Sequence, residues 1–205
     1  MNAMKTLGQG LLVTICVLGL AGAVSAAPKA ISSCKIIDEP GSYIVTKNLM
    51  GSGHCLRVHA SHVTIDLGGY VLSGDGTGTG VVADDSRTGV SVRNGTVTGF
   101  GDGINLAGPG GIVEQIRAHG NTFDGVVVGP GYVVKASVAS ENGGDGIKAA
   151  NGGSQITGNV TMGNGFQGIS VWCPASLVAN SAIDNAGGNL VTVGGGCVLS
   201  QNAAP

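Results

Sequence analysis

Four segments of this chain repeat one pattern: NTFDGV (121–126), NGGDGI (142–147), NGFQGI (164–169) and NAGGNL (185–190). Their leading Asn residues are 21, 22 and 21 positions apart. A repeat at a fixed period of this length is typical of a solenoid, because each unit is too small to bury its own apolar side chains and stacks on its neighbours. The segments therefore predict a stack of coils, each of about 22 residues.

Apolar residues recur at the same period, in three predicted columns. They are Ile112, Val134, Ile156, Val178 and Leu199; then Ile116, Val138, Val160 and Ala182; then Val126, Ile147, Ile169 and Leu190. Three short apolar runs per period, separated by Gly and Asn, predict three short strands per coil with a corner after each.

Gly and Asn recur at the corners themselves. Gly125, Gly146 and Gly168 share one corner position, which Asn189 takes in the fourth repeat. Gly and Asn enter the left-handed backbone region most readily, so we expect that conformation at this corner. We also expect the Asn column to form a ladder of side-chain hydrogen bonds from coil to coil, and a second column to do the same: Asn159, Asn180 and Asn202.

A period of about 22 residues, three strands per coil, stacked aliphatic residues and an Asn ladder are together specific. Over residues 40–202 the chain resembles the right-handed parallel β-helix of the pectin-lyase-like superfamily. The resemblance implies an all-β fold, a right-handed parallel β-helix. The residues beyond position 26, at about 22 per coil, give roughly eight coils. It carries less information about activity, because one fold supports many functions.

The beginning of the chain has the pattern of a secretory signal peptide over residues 1–26. A basic residue, Lys5, precedes a short apolar core, and small residues at 24–26 form a cleavage site. The alternative is a membrane anchor, which needs about 20 apolar residues, and this segment is too short and too polar. We therefore predict a secreted protein, periplasmic or extracellular, with a signal peptide (1–26), an N-terminal cap (27–54) and a β-helix domain (55–205).

The chain beyond the signal peptide has 9 basic and 12 acidic residues and carries a net charge of −3. It lacks the basic stripe that nucleic acid or an anionic membrane would require. Four Cys remain, an even count that is typical of disulfides in exported proteins. Proximity in sequence favours Cys34 with Cys55 and Cys173 with Cys197, which would stabilise the two ends of the solenoid. We expect a monomer that does not insert into a membrane.

Three Asp–Gly pairs lie in one column, at Asp102, Asp124 and Asp145, with steps of 22 and 21. On stacked coils these carboxylates would lie about 5 Å apart and would repel one another. The fold must then hydrate them, bind a cation between them or raise a pKa. The alternative is that an Asp before Gly is a turn former whose oxygens accept local N–H groups.

The superfamily resemblance implies a role for this column. Enzymes that resemble pectate lyases hold Ca²⁺ with carboxylates on an outer face, and a basic residue abstracts the proton. By this comparison Asp102, Asp124 and Asp145 are the candidate substrate-binding and calcium residues. Lys148 is the candidate base, and His119 is a second candidate acid or base near Asp124; its alternative is a histidine on a turn surface.

Two further motifs suggest chemistry. Asp84 and Asp85 resemble the paired carboxylates of inverting glycoside hydrolases, although a solvated loop explains them as well. Three imidazoles within nine residues, His54, His59 and His62, suggest a metal site, but no carboxylate joins them at a ligand spacing. The aromatic residues give less evidence of a site. Phe123 and Phe166 share one repeat position, where we expect them to stack in the core or to fill a corner.

The superfamily resemblance implies an exported solenoid that binds or modifies an extracellular polysaccharide. As an enzyme it would be a lyase, an epimerase or a glycoside hydrolase. The alternative is a non-catalytic surface, adhesion or structural solenoid.

Overall fold

The computed structural model describes residues 27–205. The predicted signal peptide lies outside these residues. Within them every regular element is a β-strand, and none is a helix that could span a membrane. The strands, in chain order, are β1 (Lys29–Ile31), β2 (Lys35–Ile37), β3 (Gly41–Val45), β4 (Leu49–Met50), β5 (Leu56–Val58), β6 (Val63–Asp66), β7 (Val71–Ser73), β8 (Thr79–Ala83), β9 (Ser91–Thr98), β10 (Asp102–Leu106), β11 (Gly111–His119), β12 (Val126–Val128), β13 (Tyr132–Lys135), β14 (Val138–Ser140), β15 (Ile147–Ala149), β16 (Gln155–Thr157), β17 (Val160–Met162), β18 (Gln167–Trp172), β19 (Ser176–Val178), β20 (Ser181–Ile183), β21 (Gly188–Val193) and β22 (Val198–Ser200).

Strands from successive coils pair in parallel and form three faces. The first face has the order β2-β5-β8-β10-β12-β15-β18-β21. The second has the order β1-β3-β6-β9-β11-β13-β16-β19-β22. On the third face β4, β7, β14, β17 and β20 pair in the same way, and the long strands β9 and β11 run through the corner from the second face to the third. Eight strands on the first face correspond to about eight turns, which confirms the predicted all-β parallel solenoid.

The interior is a stack of aliphatic side chains. The predicted column of Val126, Ile147, Ile169 and Leu190 is confirmed, since these residues pair directly from coil to coil. The other two predicted columns are wrong in part, and the reason is that the steps between coils alternate between 21 and 22 residues.

In the first of these columns the chain places Val113 and Leu177, rather than Ile112 and Val178, in line with Val134, Ile156 and Leu199. Ile112 is 38% exposed. In the second, Val138 and Val160 point outward, and the buried residues are small: Ala118, Ala139, Thr161 and Ala182.

Both predicted Asn ladders are present. In each, the side-chain amide of one Asn donates to the side-chain oxygen of the Asn one coil further on, and that oxygen also accepts the backbone N–H. One ladder joins Asn121, Asn142, Asn164 and Asn185, and the other joins Asn159, Asn180 and Asn202. The amides also donate to backbone carbonyls, so these buried polar groups are satisfied.

The corner glycines have a different role from the one predicted. Gly125, Gly146 and Gly168 are not in the left-handed region. They are Gly because the first ladder passes too close. A Cβ on Gly146 would lie 2.7 Å from the amide nitrogen of Asn164 and 2.6 Å from the carbonyl oxygen of Gly168.

The two predicted disulfides are confirmed. Cys34 is bonded to Cys55 in the first coils, and Cys173 is bonded to Cys197 in the last. Residues 27–54, predicted as a cap, form β1 to β4 and pair with the coil that follows. The domain boundary near residue 54 stays a prediction.

Candidate functional site

The three Asp residues of the predicted site stack at the corner where the chain enters the first face. Each uses one carboxylate oxygen to join two coils. Oδ1 of Asp102 accepts the backbone N–H of Asp124 at 3.2 Å, and Oδ1 of Asp124 accepts that of Asp145 at 2.7 Å. Oδ1 of Asp145 accepts the N–H of Gln167 at 2.9 Å. The carboxylates therefore satisfy backbone donors, as a turn former does, but these donors belong to the next coil.

The second carboxylate oxygens face polar side chains of the same face. Oδ2 of Asp102 accepts from the amide of Asn105 at 3.1 Å. The ammonium of Lys148 lies 3.7 Å from Oδ2 of Asp124 and 3.7 Å from Oδ2 of Asp145. Lys148 thus places one positive charge between two buried or half-buried carboxylates, where a cation was predicted.

Electrostatics single out the middle member of the column. Burial raises the pKa of Asp124, and the neighbouring carboxylates of Asp145 and Asp102 act in the same direction. The hydrogen bond from the N–H of Asp145 and the charge of Lys148 oppose this effect without cancelling it. Burial therefore gives Asp124 a raised pKa, which is one of the three outcomes expected for stacked carboxylates.

The predicted metal sites have little geometric support. Among residues 27–205, no three His, Cys, Asp or Glu side chains converge in a way that would hold a metal ion. The carboxylates of Asp102, Asp124 and Asp145 are already engaged by backbone N–H groups, Asn105 and Lys148. Calcium at this column stays a prediction.

The two candidate bases lie on different faces. Lys148 is on β15 of the first face, beside the Asp column. His119 is at the end of β11, on the third face. Its Nδ1 lies 3.3 Å from the hydroxyl of Ser140 and 4.0 Å from a carboxylate oxygen of Glu141. The structure therefore does not bring His119 into the polar network of Asp124.

Asp84 and the histidines, separate in the sequence, meet on the first face. His54, His59, Arg57 and Asp84 line a shallow concavity of about 120 Å³. Two of its polar groups already have partners: Asp84 accepts from the N–H and hydroxyl of Ser86, and His59 lies 3.4 Å from Asp38. Asp85 and His62 do not line this concavity. The three histidines do not form a metal site among residues 27–205, and the paired-carboxylate hypothesis stays a prediction.

One feature of this corner was missed by sequence reasoning. Phe123 and Phe166 are neither core residues nor stacked on each other: they are 62% and 54% exposed, and the coil of Gly144 lies between them. The register places them in one row, which we call the corner ridge, with Gly53, Gly78, Gly101, Gly144 and Gly187. Both rings adjoin the site, since Phe123 directly precedes Asp124 and Phe166 directly precedes Gln167. Comparing this repeat position across all coils, rather than only the regular ones, would have revealed that it is Gly in five coils and Phe in two.

The outward row of the first face is chemically mixed. From coil to coil it consists of Ile36, Arg57, Val82, Asn105, Val127, Lys148, Ser170 and Val191. It holds two cations and no carboxylate, so the acidic groups of this part of the surface belong to the corner. Compared with protein-family models, with curated proteins and with solved structures, the chain matches none.

Proposed function

We propose that this protein is an exported parallel β-helix of the pectin-lyase-like type that binds an extracellular polysaccharide without cleaving it. The exported location rests on the signal-peptide pattern of residues 1–26, and two disulfides are compatible with an oxidising compartment. The superfamily assignment rests on parallel strands, three faces, about eight turns and internal Asn ladders.

One observation carries the binding function. Two exposed phenyl rings, on Phe123 and Phe166, stand beside a polar corner made by Asp124, Asp145 and Lys148. Apolar sugar faces pack on aromatic rings, while sugar hydroxyls exchange hydrogen bonds with carboxylates and amines. A rigid surface that offers both groups side by side fits a carbohydrate.

The non-catalytic assignment follows from the hydrogen bonds and ion pairs that the carboxylates of Asp102, Asp124 and Asp145 already make. A general base needs a lone pair that is free to accept the substrate proton at hydrogen-bonding distance. Here Oδ1 of each Asp is occupied by a backbone N–H, and Oδ2 of Asp124 and Asp145 faces Lys148. His119 is on another face.

A catalytic alternative has one observation in its favour. Asp124 combines a raised pKa with a nearby lysine, and perturbed carboxylates of this kind cluster at active sites. The alternative would be a lyase or epimerase in which Lys148 acts as the base.

The test is electrophoresis of the purified protein through native gels that contain neutral or acidic polysaccharides, together with an assay of cleavage. We expect retardation by at least one polysaccharide without new reducing ends or unsaturated uronates. Cleavage that is lost in a Lys148→Ala variant would establish the catalytic alternative. Mobility that no polysaccharide changes would refute the binding function.

A further inference from the structure

We propose that Phe123 and Phe166 are two stacking platforms for a single uncharged polysaccharide chain that lies along the corner ridge, parallel to the solenoid axis. The inference rests on the proposed function and adds to it the place, the direction and the chemical class of the ligand.

The fold does not require an aromatic residue at this position. Five coils have Gly in the same row, at 53, 78, 101, 144 and 187. These coils pair with their neighbours in the same register as the coils of Phe123 and Phe166. Each phenyl group leaves more than half of its surface in water. Large apolar side chains that stay mostly exposed where Gly suffices gain little from packing, which points to a role in contacting something else.

The spacing of the two rings suits a chain that runs along the axis. They are two coils apart, which corresponds to about 9.6 Å at the usual separation of paired strands. In an extended β-linked polysaccharide, alternate sugars present the same apolar face in the same direction, and two sugars span a similar length. One chain can therefore place every second sugar on a ring.

Glycine leaves the approach open. Gly144, between the two rings, has no side chain that would hold the polymer away from the backbone. Beyond Phe166, a Cβ on Gly187 would lie 2.7 Å from Cδ2 of the Phe166 ring, so this ring rests on the backbone of the next coil. Support of this kind reduces the conformational freedom that the ring would lose on binding.

The charge beside the ridge selects the class of polysaccharide. Asp102, Asp124 and Asp145 carry three carboxyl groups, and Lys148 is the one cation in contact with them among the described residues. This negative surface would repel a polyuronate and leaves an uncharged glucan or mannan as the ligand.

The experiment uses glycine as the test substitution, because the fold already accepts Gly at this position. Phe123→Gly, Phe166→Gly and the double variant are compared with Trp172→Ala, which removes an exposed aromatic residue away from the ridge. Affinities are measured in native gels with a soluble β-glucan, a galactomannan and polygalacturonate. A cooperative urea-unfolding transition confirms that each variant is folded.

We expect the parent to bind a neutral polymer and each single Phe variant to bind about tenfold more weakly, on the order of one aromatic contact. The double variant should lose more affinity than either single variant, while Trp172→Ala should bind like the parent. Equal binding by the parent and the double variant would refute the corner ridge as the binding site, but the proposed polysaccharide-binding function would still stand. Binding to polygalacturonate alone would refute an uncharged polysaccharide as the ligand. No binding to any polymer would overturn the proposed function itself.

Ultracentrifugation of the same variants tests the other use of exposed aromatic residues. A dimer that forms in the parent and is lost in the double variant would make the ridge a contact between two copies of the chain, and would overturn the sugar platform. A parent that stays monomeric at every concentration supports it.

Discussion

Replacing Asn142 by Ala tests whether the internal ladder holds the coils together. The Asn142 side chain is buried and makes four hydrogen bonds. Its Oδ1 accepts from the backbone N–H of Asn121 at 3.1 Å and from the side-chain amide of Asn121 at 2.9 Å. Its Nδ2 donates to the carbonyl of Ala118 at 3.2 Å and to Oδ1 of Asn164 at 3.0 Å.

The magnitude follows from the groups left without partners. In Asn142→Ala, the backbone N–H of Asn121 and one of its amide protons lose their acceptor in the interior. An unsatisfied buried polar group costs about 1–3 kcal/mol, so two of them should lower the free energy of unfolding by roughly 2–6 kcal/mol. The carbonyl of Ala118 also loses a donor and adds to this cost.

Urea unfolding followed by circular dichroism measures the loss, and Asn189→Ala is the matched control. Asn189 plays the same part for Asn185 at the end of the ladder, where the groups are partly exposed and water can replace it. Its replacement should cost about 1 kcal/mol. A loss below about 1 kcal/mol for Asn142→Ala would refute the ladder as a main source of stability.

Three further predictions concern the same corner. Gly146→Ala should lower the free energy of unfolding by about 1–3 kcal/mol, because the new Cβ would lie 2.7 Å from the side-chain amide nitrogen of Asn164. The urea concentration at the midpoint of unfolding measures this loss. An unchanged midpoint would show that neighbouring coils can move apart to accept the methyl group. Because folding raises the pKa of Asp124 above its ordinary 3.8, protonated Asp124 contributes stability at low pH that is lost as the pH rises through the raised value. Asp124→Asn keeps an acceptor for the N–H of Asp145, so unfolding at several pH values should show a flatter profile and no loss at neutral pH; a variant less stable than the parent at neutral pH would contradict this sign. Calcium should leave the melting temperature unchanged, since Lys148 already lies between two carboxylates, and a calcium-induced rise that Asp124→Asn abolishes would restore the cation site.

The sequence predicted the solenoid well because its strongest signals are those that stacking imposes. The recurrence of Asn at 121, 142, 164 and 185, in steps of 21 or 22, can hardly arise unless the same side chain serves the same purpose in each coil. The Asp column and both disulfide pairs could be placed for the same reason, since one period along the chain brings residues into neighbouring coils.

The inward and outward assignments were harder to predict. At the corner between the second and third faces one residue per coil is left-handed, and it resets the alternation of side chains. The residues there include Gln115, Ala136 and Ala179, with φ angles of 53°, 49° and 54°. Ala136 carries no turn signal, so no residue type marks the change of alternation before Val138, which was assigned to the core.

The roles of the site residues depend on distances that spacing does not contain. Stacking Asp102, Asp124 and Asp145 was predictable, but which oxygen accepts a backbone N–H depends on the path of the chain at the corner. The exposure of Phe123 was hidden for another reason: an aromatic residue in an apolar repeat is more often buried than exposed.

Asn189 ends the first Asn ladder from within the last coil. It lies four residues after Asn185 and folds back within its own coil, so that its Oδ1 accepts from both the backbone and the side chain of Asn185. The series of amides is thus closed without a further coil. A block of one period could accordingly be duplicated or removed upstream of Cys173, while residues 173–205, which include both cysteines of the last disulfide, stay together as the C-terminal end of the stack. The length of such a rod would then change in increments of about 4.8 Å.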